Sequence, residues 1–302
     1  MAHVARIRFL GTAAAVPTTS RGLPCVCIER EGGLLVFDVG EGAQAAFARA
    51  GLGWNRETAI FVSHLHGDHC LGLPGLIQTM SMQGRSRPLA IYGPGGTAEF
   101  VTANLRMLRF SPPFELAVRD VWEGTIHHTK DYAVSACRAD HTIPALSYLF
   151  READRPGRFH PERARALGVP EGPLWKELQR GREVQGVTGT VRPGDVLGSG
   201  RPGVSVGYSG DTRPTAGLER FFAGCDHLIF DSTFAEEHSG RAGATGHSTA
   251  AGAAALARNA GVGHLILTHF SARYADDAAP LAEARRIHHT VTAAADQMSI
   301  EV

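Results

Sequence analysis

The sequence predicts an α/β protein whose two sheets are covered on their outer faces by helices. Short β-branched and apolar runs recur along the 302 residues, and each ends at glycine or a polar turn. Helical patterns lie between these runs, and the alternation repeats in the second half of the chain. The composition, 43% hydrophobic and 20% charged, is that of a globular protein rather than a disordered one.

The individual elements follow from this alternation. Strands are predicted over 6–10, 25–28, 34–37, 58–63, 89–92, 132–139, 144–150, 203–208, 227–230 and 264–267. Helices are predicted over 42–50, 73–82, 97–108, 248–260 and 278–295. Ser248 and Thr249 supply the hydroxyl groups that favour a helix start.

One segment, 151–184, breaks the pattern. It is rich in Arg, Glu, Pro and Gly and cannot supply a core strand. We predict that it is an insertion that projects from the domain and contains two short helices.

Bulk properties exclude some functional classes. The formal net charge is zero, which gives no support to a dedicated nucleic-acid binder of strongly basic type. The first residues lack the apolar run of a signal peptide, and no stretch of about 18 apolar residues predicts a membrane span. The five cysteines show no framework spacing, so we expect reduced thiols in a cytoplasmic protein.

The stretch FVSHLHGDHCLGLPGL, residues 61–76, carries the chemistry. His64, His66, Asp68 and His69 stand within six residues, between two apolar runs. Imidazole and carboxylate groups are the usual ligands of zinc when no thiolate is present. A buried cluster of this kind without a ligand would leave polar groups unsatisfied, so a metal site is predicted.

Further candidate ligands follow other predicted strands. His141, Asp211 and His269 each come just after a strand, and side chains at the same end of neighbouring strands converge. Isolated histidines are more often ordinary polar residues. We assign that role to His3, His127, His128, His264, His288 and His289.

These motifs resemble those of a known family. HLHGDH at 64–69 is similar to the HxHxDH motif of the metallo-β-lactamase superfamily, and SHLHGDHCLGLPGL resembles its ribonuclease Z branch, the tRNA 3′-processing endonucleases. Nearly the whole chain takes part in the resemblance. The further matching stretches are FLGTAAAVPT, FDVGEGAQ, IYGPGGTAEFV, ADHTIPALSY, YSGDTRP, FDSTF, GHSTA and THFSARY.

The resemblance implies a four-layer αββα sandwich formed by a single domain, 1–302, with two zinc ions per subunit. It assigns His64, His66 and His141 to one zinc, and Asp68, His69 and His269 to the other. Asp211 would bridge the two ions, and manganese remains an alternative metal. Asp68 would also orient the attacking water, while His247 would donate a proton to the leaving group. Asp38 is expected to support a ligand without binding metal itself.

The resemblance also implies that 151–184 is a flexible arm that binds tRNA across a homodimer. Candidate substrate contacts are Arg21, Arg158, Lys176, Arg180 and Arg273. The loop 17–22 departs from the family pattern, which leaves the choice of trailer open, and the stretch 235–245 departs from it as well.

Two alternatives remain. A thioester, lactone or small phosphodiester hydrolase could use the same fold, because a fold does not fix a substrate. A non-catalytic, metal-stabilised RNA-binding protein would be expected to have lost ligands, and all seven are present. The sequence leaves open the cellular metal, the treatment of CCA-containing precursors, exonuclease activity and the oligomeric state.

Overall fold

A computed structural model describes residues 5–30, 32–154, 156–187 and 189–302, so His3 and Arg155 lie outside the described residues. The chain divides into two compact units. The first consists of the residues up to His128, then Val134–Phe150 and Ser205–Val302; the second consists of Thr129–Ala133 and Arg151–Val204. Among the described residues, no helix has both the length and the apolar character needed to cross a membrane.

Ten strands precede the strand pair of the second unit. These are β1 (Arg6–Gly11), β2 (Ala13–Ala14), β3 (Cys25–Arg30), β4 (Gly33–Phe37), β5 (Glu57–Phe61), β6 (Leu89–Gly93), β7 (Leu116–Asp120), β8 (Gly124–His128), β9 (Tyr132–Ala139) and β10 (Ala145–Glu152). The remaining strands are β11 (Val184–Gly186), β12 (Gly189–Val191), β13 (Ser205–Tyr208), β14 (His227–Asp231), β15 (His264–Thr268), β16 (Phe270–Ser271), β17 (Val291–Ala293) and β18 (Ser299–Glu301).

The helices are short and mostly follow strands. They are α1 (Ala43–Arg49), α2 (Gly67–Cys70), α3 (Leu73–Met82), α4 (Thr97–Met107), α5 (Pro161–Ala166), α6 (Pro173–Gln179), α7 (Pro193–Val196), α8 (Ala216–Phe221), α9 (Ser239–Thr245), α10 (Ala250–Asn259) and α11 (Ala278–Arg285). A 3₁₀ turn covers Glu236–His238.

The first unit is built on two seven-stranded sheets. One has the order β18-β1-β3-β4-β5-β6-β7, and the other has the order β17-β15-β14-β13-β10-β9-β8. Strands β4 to β7 are parallel, as are β13, β14, β15 and β17. The carboxyl ends of such strands share one sheet edge, where α/β folds tend to form their sites.

Aromatic side chains join the two sheets face to face. Phe37 and Phe61 of the first sheet lie with their ring centroids 6.0 and 5.6 Å from that of Tyr148 in the second. Helices α1, α3 and α4 pack on the outer face of the first sheet, and α8, α10 and α11 pack on that of the second. Burial of apolar surface in these layers drives the assembly. The predicted αββα sandwich is confirmed.

The second unit has a small core of its own. Helices α5 and α6, the hairpin β11–β12 and α7 enclose buried apolar side chains that include Trp175 and Leu178. The Trp175 indole N–H donates a hydrogen bond to the carbonyl of Val169 over 3.1 Å. The two short helices predicted within 151–184 are present, and the compact unit continues past them to Val204.

One predicted element is wrong. The alanine-rich run predicts a helix over 278–295, but α11 ends at Arg285 and Val291–Ala293 form strand β17. This strand pairs in parallel with β15, with Leu265 opposite Val291. Tertiary pairing of a β-branched segment overrides the local helical pattern. Strands β7, β8 and β18 were also not predicted from the sequence.

Candidate metal centre

The HLHGDH motif, 64–69, follows the carboxyl end of β5. The chain leaves the strand at Phe61, and His66 stands in an extended conformation immediately before α2. His64 and His69 are fully buried. His141, Asp211 and His269 follow β9, β13 and β15 within a few residues, which agrees with their predicted positions.

The first group of donor atoms consists of three imidazoles. The Nδ1 atom of His66 lies 3.0 Å from Nε2 of His64 and 3.1 Å from Nε2 of His141. Zinc–nitrogen distances of 2.0–2.1 Å at tetrahedral angles separate neighbouring ligand nitrogens by roughly 3.3 Å. The three nitrogens are therefore spaced for a shared metal ion.

The second group combines imidazoles with carboxylates. The Nε2 atoms of His69 and His269 lie 3.3 Å apart. Asp68 Oδ2 is 3.5 Å from the first of these nitrogens and 3.6 Å from the second. Asp211 Oδ2 lies 3.3 Å from His69 Nε2 and 3.6 Å from His64 Nε2, so this carboxylate touches both groups.

Hydrogen bonds behind the rings select the nitrogens that face the centre. The Nδ1–H group of His141 donates to the carbonyl of Gly246 over 2.8 Å, which leaves a lone pair on Nε2. The Nδ1 atom of His269 lies 2.8 Å from Thr233 Oγ1. These contacts orient each ring so that its other nitrogen is available to a metal at the centre.

Asp211 gives an independent indication that the site binds a cation. Its Oδ1 atom is buried and forms no hydrogen bond with any residue that the structure describes, although His269 Nε2 is 3.3 Å away. A buried carboxylate oxygen without a partner is costly. The donor set, its spacing and this oxygen fit a pair of metal ions.

Charge and burial hold two of these groups, His64 and Asp211, in the protonation state that binds metal. Burial, reinforced by the neighbouring His69, holds the pKa of His64 well below its ordinary value, so this ring is neutral. Burial alone would raise the pKa of Asp211, but His269 and His69 hold it well below its ordinary value. Neutral imidazole and carboxylate are the forms that bind metal.

Asp38 anchors the second group from behind. It is fully buried, and its Oδ2 atom lies 2.7 Å from Nδ1 of His69. The same carboxylate accepts hydrogen bonds from the Ser63 N–H, the Ser63 hydroxyl and the Tyr208 hydroxyl, over 2.6 to 2.8 Å. The contact agrees with the supporting role predicted for Asp38.

We expect Asp38→Asn to lower metal affinity by about 10–100-fold, because an amide group cannot accept every one of these hydrogen bonds and leaves His69 less firmly oriented. Competition with a chromophoric chelator measures the change. Tyr208→Phe is the matched control, since it removes one donor from the same carboxylate but leaves His69 in place. Equal affinity in wild type and Asp38→Asn would contradict the supporting role.

A second network surrounds His247. Its Nδ1 atom lies 2.9 Å from Asp231 Oδ2, and Asp231 is fully buried at the end of β14. Thr233 Oγ1 donates to Asp231 Oδ1 over 2.6 Å and also contacts His269 Nδ1. Burial lowers the pKa of His247, but the Asp231 carboxylate outweighs burial and raises this pKa to about 9.

The sequence did not identify Asp231 and Thr233, although a signal was available. Asp231 ends β14, the strand between those that precede Asp211 and His269.

Gly246 supports the metal centre through its backbone, because its carbonyl holds the His141 ring. A Cβ atom on Gly246 would come within 2.8 Å of His141 Nδ1, so only glycine allows this carbonyl to hold the ring.

A cavity of about 660 Å³ opens beside these groups and is bordered by His66, Asp68, Asp211, His247 and His269. Arg273 also borders it, and its guanidinium carbon lies 5.1 Å from the ring centroid of Phe234. The other predicted substrate contact in this unit is engaged elsewhere. Arg21 donates hydrogen bonds to Thr12, to the carbonyl of Ala294 and to Asp277. A substrate role for Arg21 stays a prediction.

The remaining predicted substrate contacts, Arg158, Lys176 and Arg180, belong to the second unit. All three are exposed. Arg180 lies 3.3 Å from the Glu177 carboxylate. Arg158 and Lys176 have no ion-pair partner among the residues that the structure describes.

Two facing sheets with outer helices, and paired imidazole and carboxylate groups at their strand ends, define a hydrolase of the metallo-β-lactamase type. The family model described as Metallo-beta-lactamase superfamily matches residues 23–228. A ribonuclease Z of Nitrosopumilus maritimus (strain SCM1) is 50% identical over 297 residues, covering 98% of this chain and 99% of the relative. A ribonuclease Z of Methanosarcina acetivorans is 45% identical over 298 residues, covering 98% of each.

Solved structures agree with these relatives. The short form of human tRNase Z superposes with a TM-score of 0.73 at 27% identity, covering 98% of each chain. This chain therefore belongs to the ribonuclease Z family of the metallo-β-lactamase superfamily.

Proposed function

We propose that this chain is an endoribonuclease that removes the 3′ trailer from precursor tRNA. It cuts after the discriminator base and leaves a tRNA 3′-hydroxyl and a 5′-phosphorylated trailer. One observation carries the proposal: in a chain 50% identical to a ribonuclease Z, all seven imidazole and carboxylate donors converge in two groups joined at Asp211.

Zinc is the proposed metal, with two ions per subunit. His64, His66 and His141 would hold one ion, and Asp68, His69 and His269 would hold the other, with Asp211 shared. When bound, such a pair stabilises the attacking and leaving oxygens of an in-line displacement and lowers the pKa of water. Manganese accepts the same nitrogen and oxygen donors, so metal analysis of the purified protein decides between the two.

The protein's own residues position the reactants and move the protons. Asp68 Oδ2 accepts a hydrogen bond from the N–H group of Ala15 over 3.0 Å, which fixes the carboxylate beside the cavity. From there it orients the attacking water and accepts its proton. Asp231 binds Nδ1 of His247, so Nε2 is the nitrogen available to the substrate. His247 donates the proton that the leaving 3′-oxygen requires.

The first test is cleavage of a 3′-extended precursor tRNA by purified, zinc-loaded protein, with the products sized to the nucleotide. A single cut after the discriminator base supports the proposal. If the protein makes no such cut but hydrolyses bis(p-nitrophenyl) phosphate, the proposal is overturned. That result would favour a small-molecule hydrolase on the same fold. The proposed site of action is the cytoplasm, where the five free cysteines stay reduced.

The segment 151–184 of the second unit is the proposed tRNA-binding arm, and it acts within a homodimer. Between residues 151 and 183 the chain has eight Arg and Lys residues against six Asp and Glu residues. Arg158, Lys176 and Arg180 are exposed on this unit. Such side chains can contact phosphates and so position a tRNA without recognising its sequence.

Replacing Arg158, Lys176 and Arg180 together by alanine is expected to lower kcat/KM for precursor tRNA by about 10²-fold or more, because three phosphate contacts are lost. Hydrolysis of bis(p-nitrophenyl) phosphate should be unchanged. The matched control replaces Arg87, Arg109 and Arg258, three exposed arginines of the first unit, and removes the same charge. Equal losses in the two triple variants would mean that only total charge matters.

A further inference from the structure

The segments around the cavity differ in chemical character. Residues 14–23 contribute apolar side chains, including Pro17 and Leu23, and Leu71 adds another, whereas Glu41, His66 and Asp68, which also border the cavity, are polar. Residues 241–247 and 269–273 contribute the cationic groups, Arg241 and Arg273, beside His247. An RNA strand has phosphates along one edge and bases along the other. The cavity therefore suits an RNA strand whose phosphates lie along residues 241–247 and 269–273.

Arg241 is held close to the proposed proton donor. It lies on α9, and the carbonyl of the next residue, Ala242, accepts a hydrogen bond from the N–H group of His247 over 2.9 Å. Arg241 and Thr245, four residues apart on this helix, both border the cavity. The helix is fixed in turn, because Arg213 Nε donates to the Gly243 carbonyl over 2.7 Å.

The guanidinium of Arg241 is free to bind a ligand. It is exposed at the cavity and forms no ion pair or side-chain hydrogen bond with the described parts of the chain. Arg213, by contrast, pairs with Asp140 over 3.0 Å. Arg273 is partly engaged, since its Nε atom donates to Ser271 Oγ over 3.1 Å and its guanidinium covers Phe234. A cation without a partner at the mouth of a polar cavity favours an anionic ligand.

We propose that Arg241 binds the substrate phosphate that lies one nucleotide 5′ of the scissile phosphate. This assignment rests on the proposed function. If His247 donates to the leaving 3′-oxygen, the nucleotide beside His247 is the discriminator nucleotide of the tRNA. The phosphate on the 5′ side of that nucleotide is then the one nearest to α9. Arg241 is thus a specificity-determining residue, because efficient cleavage depends on a phosphate one nucleotide upstream of the cut.

The test combines a protein change with a substrate change. Precursor tRNA is prepared with one neutral methylphosphonate, either at the phosphate 5′ of the discriminator nucleotide or at the first phosphate inside the trailer. In wild type, we expect the 5′ methylphosphonate to lower kcat/KM about tenfold. Arg241→Met should lose about tenfold on unmodified precursor and show no further loss with the 5′ methylphosphonate. Arg241→Lys should recover part of the rate.

Two controls separate this contact from general effects. Arg258→Met removes an exposed arginine of α10 that does not border the cavity, and it should cleave like wild type. Arg241→Met should hydrolyse bis(p-nitrophenyl) phosphate at the wild-type rate, because that substrate has no upstream phosphate. A full additional loss with the 5′ methylphosphonate in Arg241→Met, or a wild-type rate on unmodified precursor, would overturn the proposal. Failure of the proposed function gives a different result, since wild type itself would then not cut precursor tRNA.

Discussion

His66→Ala is expected to lose bound metal and precursor-tRNA cleavage together. His66 supplies the nitrogen that lies 3.0 and 3.1 Å from those of His64 and His141, so its removal leaves the first group with two imidazoles. Loss of one ion from a two-metal site removes several kcal/mol of transition-state stabilisation. We expect kcat/KM to fall by about 10³-fold or more, which is about 4 kcal/mol. Metal content per chain and cleavage rate are measured on the same dialysed preparation.

The control for this variant is His289→Ala, which removes an exposed imidazole outside both groups. It should retain metal and activity. Full metal content with lost cleavage in His66→Ala would make His66 a substrate contact instead of a ligand. Full metal content with full cleavage would show that the first group does not hold the catalytic ion.

The layers of the fold and the donor atoms of the site were predictable from sequence for the same physical reason. A buried strand of a parallel sheet leaves a short apolar run, and the polar residue that follows it lies at the sheet edge. The residues after β5, β13 and β15 therefore point to one site, and His141 after the alternating strand β9 joins them. The strands at the sheet edges, β7 and β18, are short and partly exposed, so their apolar pattern is weak.

Interactions between distant segments could not be predicted in this way. The end of α11 depends on pairing of Val291–Ala293 with β15, which local propensity does not report. The link from Asp231 to His247 joins β14 to the residue beyond α9. Arg21 also illustrates this limit, because its internal hydrogen bonds involve residues as far along the chain as Ala294. Sequence spacing indicates which atoms can meet at a sheet edge, but it does not indicate which side chains are already engaged.

His247→Ala is expected to retain metal and to lose turnover of precursor tRNA by about 10²–10⁴-fold, the usual contribution of a general acid. The structure also offers a competing role, because His247 stands with Asp211, Asp231 and His269 in a further group of donors that could hold a metal. Metal content per chain separates the two roles. Unchanged metal content with slow cleavage supports proton donation, and loss of an ion would make His247 a ligand.

The leaving group gives a second, independent criterion. A 3′-oxygen needs a proton as it departs, whereas p-nitrophenolate is stable without one. The loss in His247→Ala should therefore be much smaller on bis(p-nitrophenyl) phosphate than on precursor tRNA. Asp231→Asn keeps the imidazole of His247 but weakens its orientation. The rate at which this variant cleaves precursor tRNA should therefore lie between the rates of wild type and His247→Ala. Equal losses of His247→Ala on both substrates would mean that His247 acts before the leaving group departs, and the proton-donor role would then be wrong.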